Sequence, residues 1–335
     1  MNVREGFAGT VGSTPLIRMA SLSEATGSTI LGKAEFLNPG GSVKDRAALA
    51  IVLDAEKRGV LRPKGTIVEG TAGNTGIGLA HVAKARGYRC LIVMPKTMAQ
   101  EKIDLLRSLG AEVELTEAVP FADPGNYYHV AKRRAEEVGG FWADQFENEV
   151  NARAHYETTG PELLEDTGGG LTGFVCASGT GGTIGGVSKY LKSKNANIRT
   201  YLIDCDGSSL FAHVEKGTLD WEGSSVLEGI GIRRVTKNFA EASLDGAFRG
   251  SDREAIAMAR YLMDHEGLYL GGSAALNCVG AVKLARLLGK GQTIATVLCD
   301  GGARYASRLW NEVWLKEKNL LPERSYARSD LGFVS

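Results

Sequence analysis

The sequence has no run of about 18 consecutive apolar residues, the minimum that a membrane-spanning helix needs. Its 39 basic and 39 acidic side chains leave no formal net charge, so no basic excess points to nucleic acid or to an anionic membrane surface. The first residues also lack the apolar core of a secretory signal. These absences favour a cytoplasmic protein without nucleic-acid or membrane partners.

The five cysteines and five histidines form none of the spacings that bind metals or build disulfide frameworks. No two cysteines stand in a CxxC pair, and no histidines form an HExxH pattern. Cys90, Cys176 and Cys299 lie in or at the end of apolar runs, where thiols usually fill core space. We therefore expect no disulfides, no bound metal and a reducing compartment.

Glycine, in contrast, is abundant. The 335 residues include 44 glycines, nearly twice the usual share. They gather beside apolar runs, at 40–41, 73–78, 179–186, 229–231, 271–272 and 301–302. Such clusters occur where the backbone turns tightly or comes close to a ligand, and ordinary turns between helices and strands account for the others.

Short β-branched runs alternate with segments of helical period. Strands are expected at 66–69, 89–94, 111–115, 174–177, 199–204 and 293–300. Helices are expected at 45–58, 74–86, 99–109, 127–138, 182–194, 252–265, 275–288 and 305–318. This alternation predicts an α/β fold built from mainly parallel sheets. A break near 145–155 suggests two such sheets, with ligands at the carboxyl ends of their strands.

The loop Ser178-Gly179-Thr180-Gly181-Gly182-Thr183 follows an apolar strand and opens a helix. Because its side chains are small, successive backbone N–H groups can converge on one anion, aided by the helix N-terminus. The loop predicts a phosphate site, with plain turn chemistry as the alternative. No Gly-Lys-Ser/Thr follows it, so it is not a Walker-type loop, and no acidic ribose partner marks it as a dinucleotide loop.

Lys44 follows Asn38-Pro39-Gly40-Gly41-Ser42-Val43 and stands at the start of the expected helix 45–58. A cation is disfavoured at this end of a helix, and that placement favours the neutral amine that an imine-forming lysine needs. Taken alone, a lysine beside a glycine turn is usually an ordinary surface residue.

Two more small-residue loops precede expected helices. The loop Gly70-Thr71-Ala72-Gly73-Asn74-Thr75-Gly76 could seat a carboxylate through backbone N–H groups and threonine hydroxyls. Its Asn74 either caps the helix or reaches a ligand. In Gly271-Gly272-Ser273 the serine is likewise either a cap or a cofactor contact.

In this order, the loops resemble the cysteine synthase and cystathionine β-synthase family of fold-type II pyridoxal-5'-phosphate (PLP) enzymes. The resemblance runs from Gly12-Ser13-Thr14-Pro15-Leu16 to Asp300-Gly301-Gly302-Ala303-Arg304-Tyr305 and includes Gln145-Phe146 and residues 155–162. It implies two α/β domains, each a mainly parallel twisted sheet flanked by helices. The smaller domain would comprise 1–11 and 37–150, the larger 12–36 and 151–320, and a tail 321–335 would be a loose arm or a dimer contact.

The resemblance also implies roles for single residues. Lys44 would bind PLP as an imine and then take the substrate α-proton. The cofactor phosphate would be held by Gly179, Thr180, Gly181, Gly182 and Thr183. Asn74 would contact the ring 3-hydroxyl, and Ser273 the pyridine nitrogen. The substrate would be bound by Thr71, Ala72, Gly73, Asn74, Thr75, Gln145 and Gly229.

A serine opposite the ring nitrogen makes the ring a weaker electron sink than a carboxylate would, which favours prompt loss of a β-substituent. The expected reaction is β-replacement, with O-acetyl-L-serine and sulfide giving L-cysteine and acetate. Ala72 stands where many cysteine synthases have serine, so β-elimination of L-cysteine to sulfide, pyruvate and ammonia is the alternative. The family also implies a homodimer and the tail of serine acetyltransferase as a partner.

Two other classes are considered. A PLP-free binding relative would lack the intact lysine loop. A nicotinamide dehydrogenase would place a glycine-rich first βα turn and an acidic ribose partner near the start of its sheet, and neither is found in this sequence.

Overall fold

Two mainly parallel sheets organise the chain. The computed structural model describes residues 3–71, 73–322 and 325–335. Within them, one sheet has the order β1-β2-β10-β7-β8-β9 and the other β5-β4-β3-β6. All neighbours pair in parallel except β1 and β2. The strands are β1 (Leu16–Arg18), β2 (Thr29–Lys33), β3 (Thr66–Gly70), β4 (Arg89–Pro95), β5 (Glu112–Thr116), β6 (Phe141–Trp142), β7 (Gly173–Cys176), β8 (Arg199–Cys205), β9 (Gly246–Gly250) and β10 (Thr293–Val297).

Helices connect and cover these strands. In the described part of the chain they are α1 (Gly6–Thr10), α2 (Ala20–Thr26), α3 (Lys44–Lys57), α4 (Asn74–Arg86), α5 (Gln100–Ser108), α6 (Tyr127–Glu137), α7 (Val150–Ala154), α8 (Gly160–Asp166), α9 (Gly182–Lys194), α10 (Leu210–Lys216), α11 (Lys237–Ala240), α12 (Asp252–Glu266), α13 (Gly272–Leu288) and α14 (Glu312–Glu317). None of these helices combines the length and the apolar character that crossing a bilayer requires.

Both faces of each sheet are buried, as expected for parallel strands with apolar residues at successive positions. In β8, Leu202 packs into the core on one face and Ile203 into the core on the other. In β3, Ile67 and Val68 likewise pack into different cores. The predicted α/β class, with mainly parallel sheets flanked by helices, is confirmed.

A crevice opens where β7 and β10 end. Their pairing extends to Phe174 and Ala295. Beyond it, the fully buried Asn277 of α13 accepts a hydrogen bond from the Ala177 N–H (2.6 Å) and donates one to the Val297 carbonyl (2.7 Å). This one side chain satisfies both strand ends, so the carboxyl edge of the sheet can open without unpaired backbone groups. Ligand sites of parallel sheets form at this kind of opening.

The N-terminal segments divide between the two sheets. Phe7 of α1 stacks on His81 of α4, with ring centroids 4.8 Å apart, and α4 adjoins the four-stranded sheet. The strands β1 and β2 instead join the six-stranded sheet beside β10. The expected assignment of residues 1–11 to the smaller domain and 12–36 to the larger one stays a prediction.

The described part of the tail packs on its own chain. Leu331 and Val334 are buried in the core beside α12 and α13. Arg286 donates a hydrogen bond to the Leu331 carbonyl (2.9 Å), and the Tyr261 hydroxyl donates to the Arg328 carbonyl (2.5 Å). Residues 325–335 are therefore not a loose arm.

The helix expected at 305–318 is wrong in its first half. A 3₁₀ turn at Gly302–Tyr305 is followed by irregular chain, and the helix begins only at Glu312. The Asn311 side chain accepts hydrogen bonds from the N–H groups of Val313 (2.9 Å) and Trp314 (3.1 Å). This N-cap sets the start of α14.

Asn277→Ala should lower the free energy of unfolding by about 2–4 kcal/mol, because two buried backbone groups lose their partner. Chemical denaturation measures this loss. Asn197→Ala, on the exposed side of the loop after α9, should change the same quantity by less than about 0.5 kcal/mol. Equal, small effects of both substitutions would contradict the role given to Asn277.

Candidate active site

The loops singled out in the sequence meet around one cleft at the carboxyl ends of both sheets. Gly182 is the first residue of α9, between Gly181 and Thr183, which line the cleft. Ala72 lies outside the described residues, so its role stays a prediction. The other predicted site residues all line the cleft: Lys44, Thr71, Gly73, Asn74, Thr75, Gln145, Gly179, Thr180, Gly181, Thr183, Gly229 and Ser273.

Lys44 is the first residue of α3, close to its expected position. The chain just before it is tied to the end of β10, since the Val43 N–H donates to the Cys299 carbonyl (2.9 Å) and Ser42 forms a backbone bridge with Asp300. The half-buried Lys44 amine makes no hydrogen bond or ion pair with any residue that the structure describes. It is therefore available to a ligand in the cleft.

Two thiols lie near Lys44. Burial raises the pKa of Cys299 to about 11, although the Lys44 ammonium opposes the shift. Burial also raises the pKa of Cys176 well above its ordinary value, again against Lys44. Both thiols are therefore neutral near pH 7, so neither pairs with the amine as a thiolate.

The loop after β7 requires its glycines. A Cβ atom at Gly179 would overlap the Gly229 carbonyl oxygen, and one at Gly181 would overlap the Phe239 backbone. Gly181 also has a φ of +88°, which favours glycine. In the described structure, the N–H groups of Gly179, Thr180 and Gly181 donate to no protein acceptor. They stand at the N-terminus of α9, so they can converge on an anion.

Neighbouring side chains hold the hydroxyls of this loop. Asn151 donates to the Thr180 hydroxyl (3.0 Å), and Thr183 shares a hydrogen bond with His155 (3.2 Å). Burial lowers the pKa of His155 well below its ordinary value, and the charges of Arg46 and Lys44 lower it further. The imidazole is therefore neutral. The buried Ser178 hydroxyl has no partner among the described residues, as expected for a group that a ligand would satisfy.

Gln145 is tied to the loop after β3. Its side-chain oxygen accepts from the Thr75 hydroxyl (2.5 Å), and its amide donates to the Gly70 carbonyl (3.2 Å). The Gln145 N–H also donates to the fully buried Glu69 (3.2 Å), whose pKa is raised well above its ordinary value by burial. Two of the predicted substrate residues, Thr75 and Gln145, therefore belong to one hydrogen-bonded group with Glu69 and Gly70.

The capping alternatives for Asn74 and Ser273 are wrong. The N-cap positions belong to Gly73 and Gly271, and neither helix has a side-chain cap. The Asn74 amide instead donates to Asp300 (2.6 Å). The Ser273 hydroxyl acts on the Cys299 thiol, whose pKa it lowers against the stronger effect of burial.

A buried charge cluster on the cleft wall was not expected from the sequence. Glu228 pairs with Lys102 (2.5 Å) and with Arg308 (2.7 Å), and Lys102 also lies over the Tyr305 ring. The position of Glu228 directly before Gly229-Ile230-Gly231 was a usable signal. Nothing in the sequence singles out Lys102, because it occupies an ordinary helical position 126 residues before Glu228.

Comparison with known proteins identifies the family of the chain. A family model described as "Pyridoxal-phosphate dependent enzyme" matches residues 8–300. The chain belongs to this family of PLP-dependent enzymes. It is 53% identical over 325 residues to "Cysteine synthase 1" of Neurospora crassa, covering 95% of this chain and 86% of that one.

Two solved structures of PLP-enzyme relatives resemble the fold. An O-ureido-L-serine synthase matches with a TM-score of 0.85 and 34% identity, covering 93% of this chain and 96% of that one. An O-acetylserine dependent cystathionine β-synthase from Helicobacter pylori matches with a TM-score of 0.83 and 33% identity, covering 92% and 99%. The expected family is therefore confirmed.

The residues present fit the cofactor of the family. PLP has an aldehyde and a phosphate, and the cleft offers a partner-free amine at Lys44 and partner-free N–H groups at 179–181. The orphaned Ser178 hydroxyl lines the same cleft. Within residues 3–71, 73–322 and 325–335, no group of three or more His, Cys, Asp or Glu side chains could hold a metal ion.

Gly182→Ala should weaken PLP binding by at least about tenfold, a loss of about 1.4 kcal/mol. The new Cβ would overlap the Asn151 side chain, which holds both the Thr180 hydroxyl and the Gln145 carbonyl. Titration of the cofactor-free protein with PLP, followed by absorbance, measures the change.

Gly9→Ala in α1 is the matched control, because its Cβ would meet only ordinary contacts at 3.5 Å or more. It should leave the dissociation constant of PLP unchanged. If Gly182→Ala bound PLP as tightly as Gly9→Ala, the phosphate loop would be wrongly placed.

Proposed function

We propose that this enzyme catalyses β-replacement on an activated serine, forming L-cysteine from O-acetyl-L-serine and sulfide. The observation that carries the proposal is the partner-free Lys44 amine. It shares one cleft with the loop after β7, whose free N–H groups suit an anion, and with the loop that follows β3. The 53% identity to a cysteine synthase supports the product, and the O-acetylserine-dependent structural relative supports the substrate.

PLP, when bound, supplies an electron sink that loosens the substrate α-proton and the β-substituent. Lys44 is the side chain in the cleft wall that is fit to take that proton. Lys102 and Glu228 pair with each other, and the pKa values of Cys176, Cys299, Tyr127 and Tyr305 are raised by burial. Among the titratable groups of the described cleft wall, the Lys44 amine therefore remains the proton carrier.

Each of the two loops would bind one anionic group. Gly179, Thr180, Gly181, Gly182 and Thr183 would hold the cofactor phosphate with backbone N–H groups and hydroxyls at the start of α9. The substrate carboxylate would lie at the start of α4, against Thr71, Ala72, Gly73, Asn74, Thr75 and Gln145. Both sites use the partial positive charge of a helix N-terminus. Gly229 would line the cleft beside Gly179, which its carbonyl oxygen adjoins.

Ser273 supports loss of a β-substituent. It would face the pyridine nitrogen with a neutral hydroxyl, and a hydroxyl does not enforce protonation of that nitrogen as a carboxylate would. Charge from the substrate would then be delocalised less, so a leaving group at the β-carbon departs readily. This property suits β-replacement and β-elimination equally, and the assay must separate the two reactions.

The test compares rates on the same preparation. We expect cysteine formation from O-acetyl-L-serine and sulfide to be faster than sulfide release from L-cysteine. Faster sulfide release would contradict the proposal and favour the desulfhydrase alternative. Lys44→Ala should lower kcat by at least about a thousandfold, because the proton carrier is lost, whereas Lys57→Ala at the exposed far end of α3 should retain activity.

We also propose a homodimer, the C-terminal tail of serine acetyltransferase as a partner, and a cytoplasmic location. These rest on the family resemblance. The five free cysteines of the structure support a reducing compartment.

A further inference from the structure

Asp300 lies at the centre of a buried hydrogen-bond network beside the cleft. Its side chain is fully buried. One carboxyl oxygen accepts hydrogen bonds from the Asn74 amide (2.6 Å) and from the Tyr305 hydroxyl (2.5 Å). The other oxygen has no partner among the described residues. A buried carboxyl with an unpaired oxygen costs stability, so this residue calls for an explanation other than packing.

Arg304 holds the opposite end of the same amide. Its guanidinium donates to the Asn74 side-chain oxygen (2.6 Å) and, through the other terminal nitrogen, to the Gly40 carbonyl. The Asn74 amide therefore has a hydrogen-bond acceptor at its NH₂ group and a hydrogen-bond donor at its C=O group.

These two hydrogen bonds permit only one orientation of the Asn74 amide. A flipped Asn74 would point its NH₂ group at the guanidinium and its oxygen at the carboxyl, so both hydrogen bonds would become repulsive contacts. The NH₂ group carries two hydrogens, and Asp300 accepts one of them. The second hydrogen remains for an acceptor in the cleft, which Asn74 lines.

We propose that Asp300 and Arg304 are positioning residues that lock the Asn74 amide with its free N–H available to the ring hydroxyl of the cofactor. This inference rests on the proposed function, which assigns that contact to Asn74. It gives a role to the segment Asp300–Tyr305, which none of the site assignments above includes.

A double-mutant cycle tests the inference. Asn74→Ala, Asp300→Ala and the double variant are compared with the parent by titrating each cofactor-free protein with PLP. Each single variant should raise the dissociation constant about tenfold, the loss of one hydrogen bond to a polar ring group. In the Asn74→Ala background, Asp300→Ala should change it by less than about twofold, because Asp300 acts through Asn74.

A spectroscopic readout accompanies the titration. The ratio of the visible to the near-ultraviolet absorption of the bound cofactor reports the state of its ring oxygen. Asp300→Ala and Asn74→Ala should shift this ratio in the same direction, and the double variant should match Asn74→Ala. Asp300→Asn, which keeps an acceptor for the amide, should restore most of the affinity and of the absorbance ratio.

Thermal unfolding of the cofactor-free protein shows whether Asp300→Ala folds. If it does not, a second double-mutant cycle uses Arg304→Met in its place. This substitution removes the donor to the Asn74 oxygen and should couple to Asn74→Ala in the same way. Additive losses in both cycles, or lower stability with unchanged PLP affinity, would reduce Asp300 and Arg304 to structural residues. A parent protein that binds no PLP would instead overturn the proposed function itself.

Discussion

The position of Lys44 depends on a short backbone bridge. The N–H group of Val43 and the backbone of Ser42 attach to Cys299 and Asp300, directly after β10. Through this bridge, the helix that begins with Lys44 is anchored on the six-stranded sheet, while α3 itself packs against α4 and the core of the four-stranded sheet. The amine is thereby fixed where the loops of both sheets meet, so the loops after β3 and β7 can serve one ligand.

Close backbone packing makes the rest of the cleft possible. At Gly179 and Gly181 a side chain would overlap neighbouring backbone, so the N–H groups of the loop remain unobstructed on the side of the cleft. Asn151 and His155 then hold the two threonine hydroxyls from behind. Because His155 stays neutral, it adds no charge of its own to the proposed phosphate site. The positive character there comes from the helix N-terminus and from Lys44.

Features set by local chemistry were predictable from the sequence, whereas features set by distant partners were not. The helices 74–86 and 182–194 were predicted with the bounds that the structure has, since glycines and strands define their starts. The helix expected at 305–318 was too long because the cap formed by Asn311 was overlooked. The partners of Asn74 lie 226 and 230 residues further along the chain, so only the folded structure brings them together. The same applies to Lys102 and Glu228.

Covalent labelling tests the central claim most directly. Reduction of the PLP-bound enzyme with borohydride, followed by digestion and mass spectrometry, identifies the lysine that carries the cofactor. The account predicts a single modified peptide with the pyridoxyl group on Lys44. A label on Lys102, the other lysine of the described cleft wall, or no covalent label at all would contradict it.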